Sequence, residues 1–274
     1  MKKYSIGLQL YSVRSDLYRD FEGTLKKVAG MGYDSVEFAG LYGKSAAEVK
    51  ALCQKYGLDP VSAHVGLSEM LADPDGVFET YKEIGCRYIA VPYLPAEDRP
   101  LTPNYGNVVA SIAALTKKAK AYGLQMLYHN HDFEFVRLPS GEYGYDDLFS
   151  RIPDLGAEID VCWVNVAGED PAAYLKKYAA RIPVVHFKDF VMPGKKAKNL
   201  YALIGQEEPQ DKASEEDFQY RPLGCGAQDL PALIAALEGS VCGYVIVEQD
   251  EPSMGKTRLE CAEISRNNLR PLGL

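Results

Sequence analysis

Apolar positions follow two rhythms that alternate along the whole chain. Short dense runs, YSIGLQL (Tyr4 to Leu10), YDSVEFA, LDPVSAH and CRYIAVPYL, have the length and β-branched content of buried strands. Between them the spacing changes. FEGTLKKVAGMG puts Phe21, Leu25 and Val28 on one helical face and stops at Gly32. SAAEVKALCQKYG opens at Ser45, an N-cap residue, and stops at Gly57, and Pro74 starts the helix of DPDGVFETYKEIG. The second half repeats the plan. LQMLYHNH, LGAEIDV, PVVHFKDF and GYVIVEQD are strands; NYGNVVASIAALTKKAKAYG, YDDLFSRIP, DPAAYLKKYAARI, DLPALIAALEG and GKTRLECAEISRNNLRPLG are helices.

The joints Gly32-Tyr33, Gly57-Leu58, Gly85-Cys86 and Gly123-Leu124 mark helix exits into strands. Strands that alternate with helices imply a parallel sheet with right-handed crossovers. Eight such units predict a single-domain α/β protein, a (β/α)8 TIM barrel spanning residues 1–274. A doubly wound open sheet would carry a glycine-rich phosphate turn after an early strand, and the first strand runs instead into QLYSVR. One segment breaks the rhythm. A long insertion at about 190–222 follows strand seven, on the face where barrel active sites form, and reads either as a lid or substrate wall or as a disordered or oligomer-contacting loop.

Composition narrows the picture. With 38 acidic and 30 basic residues the net charge is −8, which argues against a nucleic-acid binder needing a basic face. The 6 cysteines form no C-x-x-C pair and read as reduced core residues of a cytoplasmic protein. MKKYSIGLQLYSVR reads as a first strand rather than a signal peptide, and no apolar run is long enough to span a membrane.

In a barrel of this kind, side chains at the C-terminal strand ends converge on one pocket. Those ends are Gln9 and Tyr11, Glu37, His64, Tyr93, His129 and His131, Asp160, His186 with Lys188, and Glu248 with Asp250. Strand alternation puts His129 and His131 on one side and Asn130 on the other. Any one of these is ordinarily a hydrogen-bonded structural group. Crowded together, buried carboxylates and imidazoles need a compensating positive charge. Asp160, Glu248, His186 and His129 form a mixed oxygen and nitrogen set suited to one divalent ion: Mn2+ first, with Mg2+, Co2+ or Zn2+ as rivals. Lys188 shares the side of His186; it either holds a substrate oxygen or points to solvent at a loop start.

The segments GYDSVEFAG, YHNHDFEF, IDVCWVNVAGEDP, VVHFKDF, RPLGCGAQDLPALI and YVIVEQDEPSMGK, in that order, resemble the xylose isomerase-like barrel superfamily. That superfamily includes sugar isomerases, ketose 3-epimerases, inosose and dehydroshikimate dehydratases, keto-glycoside lyases and the endonuclease IV group. The resemblance implies a single divalent metal held by Glu, Asp, His and Glu at the later strand ends. Asp160, His186 and Glu248 match the last three; His129 stands where the first glutamate is usual. His131 then faces substrate or braces the metal shell. Glu134 matches a substrate-contacting glutamate and is the candidate for a second acid or base. Trp163 replaces a histidine that is a metal ligand in the nucleases and offers an apolar plate to a sugar face.

The implied chemistry is enolisation of a sugar or cyclitol. Glu248 or Glu134 abstracts the proton next to a carbonyl, Lys188 and His131 stabilise or reprotonate the enediolate, and Gln9, Glu37, His64 and Trp163 contact substrate. Returning the proton gives an isomerase or epimerase. Loss of a β-hydroxyl or glycosidic oxygen gives a dehydratase or lyase, which the missing first glutamate favours. A non-catalytic carbohydrate-binding barrel is the reading of another class; the 19 tyrosines suit sugar stacking. Pairing into a homo-oligomer is an expectation that no single sequence feature carries.

Overall fold

A computed structural model describes residues 4–192 and 218–274. Its strands are β1 (Ser5–Gln9), β2 (Ser35–Ala39), β3 (Asp59–His64), β4 (Tyr88–Val91), β5 (Gln125–His129), β6 (Gly156–Asp160), β7 (Val184–Phe187), β8 (Asp189–Val191), β9 (Gln219–Arg221) and β10 (Tyr244–Val247). All but β8 and β9 close a parallel barrel in the order β1-β10-β7-β6-β5-β4-β3-β2. The expected (β/α)8 barrel is therefore the observed fold. Each barrel strand is followed by one of the outer helices Phe21–Gly30, Ala46–Tyr56, Pro74–Ile84, Tyr105–Ala121, Gly144–Arg151, Pro171–Lys177, Leu230–Ala236 and Arg258–Leu269.

Local chemistry explains the element ends. Ser45 and Glu48 form a reciprocal capping box at the start of Ala46–Tyr56, satisfying donors that the first helical turn leaves open. Gly57 ends the same helix at φ +68°, a conformation that a side chain disfavours. Leu25 and Val28 bury their side chains completely against the barrel. Each such burial contributes roughly 1.5–3 kcal/mol, so Leu25→Ala would loosen the first outer helix.

Inside the barrel two layers lie one above the other. The lower layer is an apolar cluster of Val61, Ala90, Leu127, Val184 and Ile246, with Tyr88 and Tyr244 packed against it. The upper layer is polar and forms the candidate site.

The structure differs from the sequence reading at strand seven. The run PVVHFKDF does not continue as one strand: Lys188 leaves the ladder, and β8 pairs antiparallel with β9. The cause is Asp189. Its buried carboxylate accepts from the backbone N–H groups of Gly224 (3.0 Å), Gly226 (2.9 Å), Gln228 (3.1 Å) and Phe190 (2.9 Å), tying the chain to the loop before Leu230. A Cβ on Gly226 would lie 2.2 Å from Asp189 Oδ1, so only glycine permits this approach. Three short helices escaped the sequence pattern: Arg14–Arg19, Leu67–Ala72 and Val161–Val166. Most of the 190–222 insertion, residues 193–217, lies outside the described residues, as does the choice between lid and loop. All six cysteines are free. Among the described residues, no helix is long and apolar enough to cross a membrane.

Candidate active site

The chain ends β5, β6, β7 and β10 at one level, so their last inward side chains meet. Donor atoms of His129, Asp160, His186 and Glu248, all buried, lie within 4.8 Å of one another. A second overlapping group, His64, His129, Glu158 and His186, lies within the same limit. His129 and His186 belong to both. Nε2 of His129 is 3.7 Å from Asp160 Oδ2 while its Nδ1 is 3.5 Å from Glu158 Oε2. Nδ1 of His186 is 3.0 Å from Glu248 Oε2 while its Nε2 is 2.6 Å from Glu37 Oε1.

Asp160 is held from two sides. Its Oδ1 accepts from the backbone N–H of Cys162 (2.8 Å) and Trp163 (3.2 Å), capping Val161–Val166 and leaving Oδ2 for the pocket. Asn130, on the opposite face of the chain from His129 and His131, accepts from the Asp160 N–H at 3.0 Å and donates to its carbonyl at 3.3 Å. That clamp fixes the relative position of β5 and β6 at their ends.

Lys188 is buried, which removes the solvent-facing alternative. Its Nζ lies 2.8 Å from Glu248 Oε2, 3.0 Å from Asp250 Oδ2 and 3.1 Å from Asp160 Oδ2. Burial opposes its charge, but the surrounding carboxylates of Asp160, Asp250 and Glu248 overcome this and hold the ammonium protonated. For Glu248, burial is likewise outweighed, by Lys188 and His186, and the carboxyl is held well below its usual range. His186 is raised despite burial by Glu37 and Glu158, whereas His129 is pushed well below its usual value by burial and the neighbouring imidazoles. His129 thus offers a neutral imidazole, the form that ligates a metal.

The deeper polar layer is a charge-paired network. His64 Nε2 lies 2.6 Å from Glu158 Oε2 and 3.1 Å from Glu37 Oε1. Gln9 donates to Glu37 at 2.7 Å, and Ser62 donates to its other oxygen. Glu37 and Gln9 therefore stand behind the imidazoles rather than on the pocket wall. Trp163 is also fully buried, in a cluster with Cys162, Val166, Phe190, Phe218 and Tyr220. Its ring packs 5.1 Å from the His131 ring. Glu134 lies behind His131: its oxygens accept from the Tyr128 hydroxyl at 2.7 Å and the His131 N–H at 2.8 Å.

The pocket is a cavity of about 240 Å3. It is lined by the charged Lys188, Glu248 and Asp250, by the imidazoles of His64, His129 and His131, and by Tyr11, Ala39, Pro92 and Tyr93. The sequence reading overlooked Glu158. The signal was available, because it lies two residues before Asp160 and so faces the same way.

The residues present fit a divalent cation. Ligands bound at about 2.0–2.2 Å lie roughly 3.3–3.6 Å apart in a tetrahedron and up to roughly 4.4 Å apart when opposite each other, so donors within 4.8 Å of one another are brought onto one ion by side-chain shifts on the order of an ångström. His129 Nδ1 is buried without a hydrogen bond, as an atom poised for a ligand would be, and Asp160 Oδ2 already faces a cation, the Lys188 ammonium at 3.1 Å.

Comparison with known proteins bears on this arrangement. A family model described as xylose isomerase-like TIM barrel matches residues 25–270. An inosose dehydratase of Geobacillus kaustophilus (strain HTA426) is 22% identical over 255 residues, covering 83% of this chain and 79% of the relative. The crystal structure of a sugar phosphate isomerase/epimerase from Parabacteroides distasonis ATCC 8503 superposes with a TM-score of 0.77 at 21% identity, covering 98% of each chain. The structure of an IOLI protein with a bound zinc atom superposes with a TM-score of 0.71 at 17% identity, covering 97% of each chain.

Proposed function

Since the chain belongs to the xylose isomerase-like TIM barrel family, we propose that it is an enzyme that abstracts a proton next to the carbonyl of a sugar or cyclitol and returns it, an isomerase or epimerase. The observation that carries this reading is the meeting of His129, Asp160, His186 and Glu248 beside a buried lysine at a ring-sized cavity. Those four residues would hold one divalent ion, Mn2+ first and Mg2+, Co2+ or Zn2+ as rivals. When bound, the ion supplies Lewis-acid polarisation of a carbonyl. The zinc in the IOLI neighbour supports a divalent ion without fixing which.

The remaining chemistry belongs to the chain. Glu248, ionised and on the pocket wall, accepts the proton; a positioned base contributes about 10²–10⁴-fold. Lys188, held protonated, donates to the oxygen on which charge develops. His131 lines the same pocket and, held neutral by burial and by Lys188, orients a hydroxyl. His64 contacts the substrate from the wall, while Glu37 and Gln9 set its orientation from behind. Trp163 and Glu134 act through His131, as a packing surface and a backbone strut. The acidic net charge supports a small-molecule substrate over nucleic acid.

A second reading, dehydratase or lyase, has specific support. His129 occupies the place of a second carboxylate base, and Glu134 does not line the pocket, so among the described residues Glu248 is the one glutamate there. One base with a proton donor such as Lys188, held protonated, suits loss of a β-oxygen substituent.

The test is NMR in D2O on the metal-loaded protein with keto-sugars, inososes and keto-glycosides. Solvent deuterium in recovered sugar without loss of water or aglycone supports the isomerase. Release of water or aglycone selects the lyase. Stoichiometric metal with no exchange on any of them leaves a carbohydrate-binding barrel.

A further inference from the structure

The candidate pocket does not end at its rim. Tyr11 and Ala39, which line it, also line an adjoining concavity of about 470 Å3 completed by Arg14, Ser15, Tyr18, Gly40 and Tyr42. The inner pocket, at about 240 Å3, is smaller than the usual range of roughly 300–1,000 Å3 for ligand sites and has room for one ring. The outer concavity is the larger of the two and is built of phenol rings.

Its construction is specific. The loop after β2 passes through the left-handed region three times in four residues: Gly40 (φ +80°), Tyr42 (φ +53°) and Gly43 (φ +77°). Tyr42 adopts this conformation despite its side chain, and such strain gathers at ligand sites. The distortion sets the Tyr42 ring against Phe21, with centroids 5.9 Å apart. Tyr18, also in the lining, is 84% exposed, a large ring left in water. Arg14 stiffens the join. Its guanidinium lies 3.9 Å from the Tyr11 ring centroid and donates to the carbonyls of Tyr11 (3.0 Å) and Asp250 (2.7 Å), with Glu251 as its ion-pair partner. The aromatic shelf is thereby tied to the loop that carries Asp250.

We propose that this shelf is a subsite for a second sugar ring, so that the substrate is a glycoside whose reacting ring occupies the inner pocket. The inference rests on the sugar reading above and deepens it. The C–H face of a pyranose is an apolar plate, and flat aromatic side chains bury it without losing much conformational freedom. Phenol hydroxyls around the plate serve the ring hydroxyls. A free monosaccharide leaves this surface unused, whereas a ring linked through the mouth lies across it.

The test measures binding of glucose, maltose, cellobiose and trehalose, and of their keto derivatives, to the metal-loaded protein by calorimetry. Tyr18→Ala and Tyr42→Ala are measured alongside, with circular dichroism to establish folding. At least one disaccharide is expected to bind about tenfold more tightly than its monosaccharide. Tyr18→Ala, at an exposed position that folding does not need, should remove most of that advantage and leave monosaccharide binding unchanged; Tyr42→Ala should do the same if it folds. Equal affinity for one and two rings, or equal weakening of both by Tyr18→Ala, overturns the subsite while leaving the sugar reading intact. If no saccharide binds to protein that has taken up its metal, both fail together.

Discussion

The barrel interior holds two layers made by the same strands, and they obey opposite rules. Leu127 and His129 on β5, Val184 and His186 on β7, and Ile246 and Glu248 at the end of β10 are pairs two residues apart along the chain, so both members point inward. The lower members join an apolar floor with no polar atom to satisfy. The upper members, with Glu37, Glu158, Asp160, Lys188 and Asp250, are buried and must balance one another. A floor position accepts any apolar side chain of suitable volume. A position above it accepts only a residue that keeps the charge count, which is why the candidate chemistry gathers there.

The hardest test of this contrast is Asp160→Asn. Asparagine is as good an N-cap as aspartate, so the helix Val161–Val166 should persist. The change removes one negative charge and one ligand oxygen. Divalent-ion affinity, followed by calorimetry and elemental analysis, should fall at least about 100-fold, and turnover of any identified substrate about 1,000-fold, comparable to losing a central electrostatic contact. Retained affinity would sink the four-ligand assignment.

Lys188→Met probes the balance from the other sign. Asp160, Glu248 and Asp250 would be left without their shared ammonium, and removing one partner of a buried pair costs roughly 3–5 kcal/mol. Denaturant titration of metal-free protein should reveal that loss. A saturating divalent ion should recover part of it, because a ligand that binds only the native state adds to stability. In the floor, Leu127→Ala should cost about 3 kcal/mol through a cavity, with kcat/KM unchanged at temperatures where the variant is folded. If Leu127→Ala abolished turnover while keeping its Tm, the division between layers would be wrong.

The sequence carried the barrel because strand and helix periods differ and the chain switches between them eight times. It also carried the upper layer, since a polar residue at a strand end violates the apolar pattern of the strand. Glu158 escaped because it sits inside LGAEIDV, where a strand interior reads as core; only its register with Asp160 exposes it. The break after Phe187 escaped for another reason. Nothing local stops PVVHFKDF, and the cradle that captures Asp189 is supplied by Gly224, Gly226 and Gln228, some 35 to 39 residues on. Trp163 and Glu134 read as pocket residues because the resemblance to the barrel superfamily matches Glu134 to a substrate-contacting glutamate and puts Trp163 where a ligating histidine is usual. Whether a side chain there faces the cavity or packs behind it depends on short connecting turns with no periodicity to read, and here both pack behind His131.

Glu134 offers the finest probe, because it is a carboxylate just outside the balanced set. Burial pushes its carboxyl up to about 8, against the hydrogen bonds from Tyr128 and His131. A group whose folded pKa is raised contributes stability that is fully present below its unfolded pKa, near 4.3, and lost as pH rises through about 8. Wild-type protein should therefore lose stability between pH 5 and pH 8 relative to Glu134→Gln, by roughly 3–4 kcal/mol. The amide can still accept from the His131 N–H, and the Tyr128 hydroxyl can turn to accept from the amide nitrogen. Denaturant midpoints of both proteins across that range give the comparison. Parallel profiles would mean that the two hydrogen bonds keep the carboxylate ionised and that burial has been overcome. The same variant separates strut from base: a residue that only positions His131 should leave the shape of the kcat pH profile intact and lower kcat modestly, whereas loss of a general base should remove a limb of that profile along with about 100-fold or more of the rate.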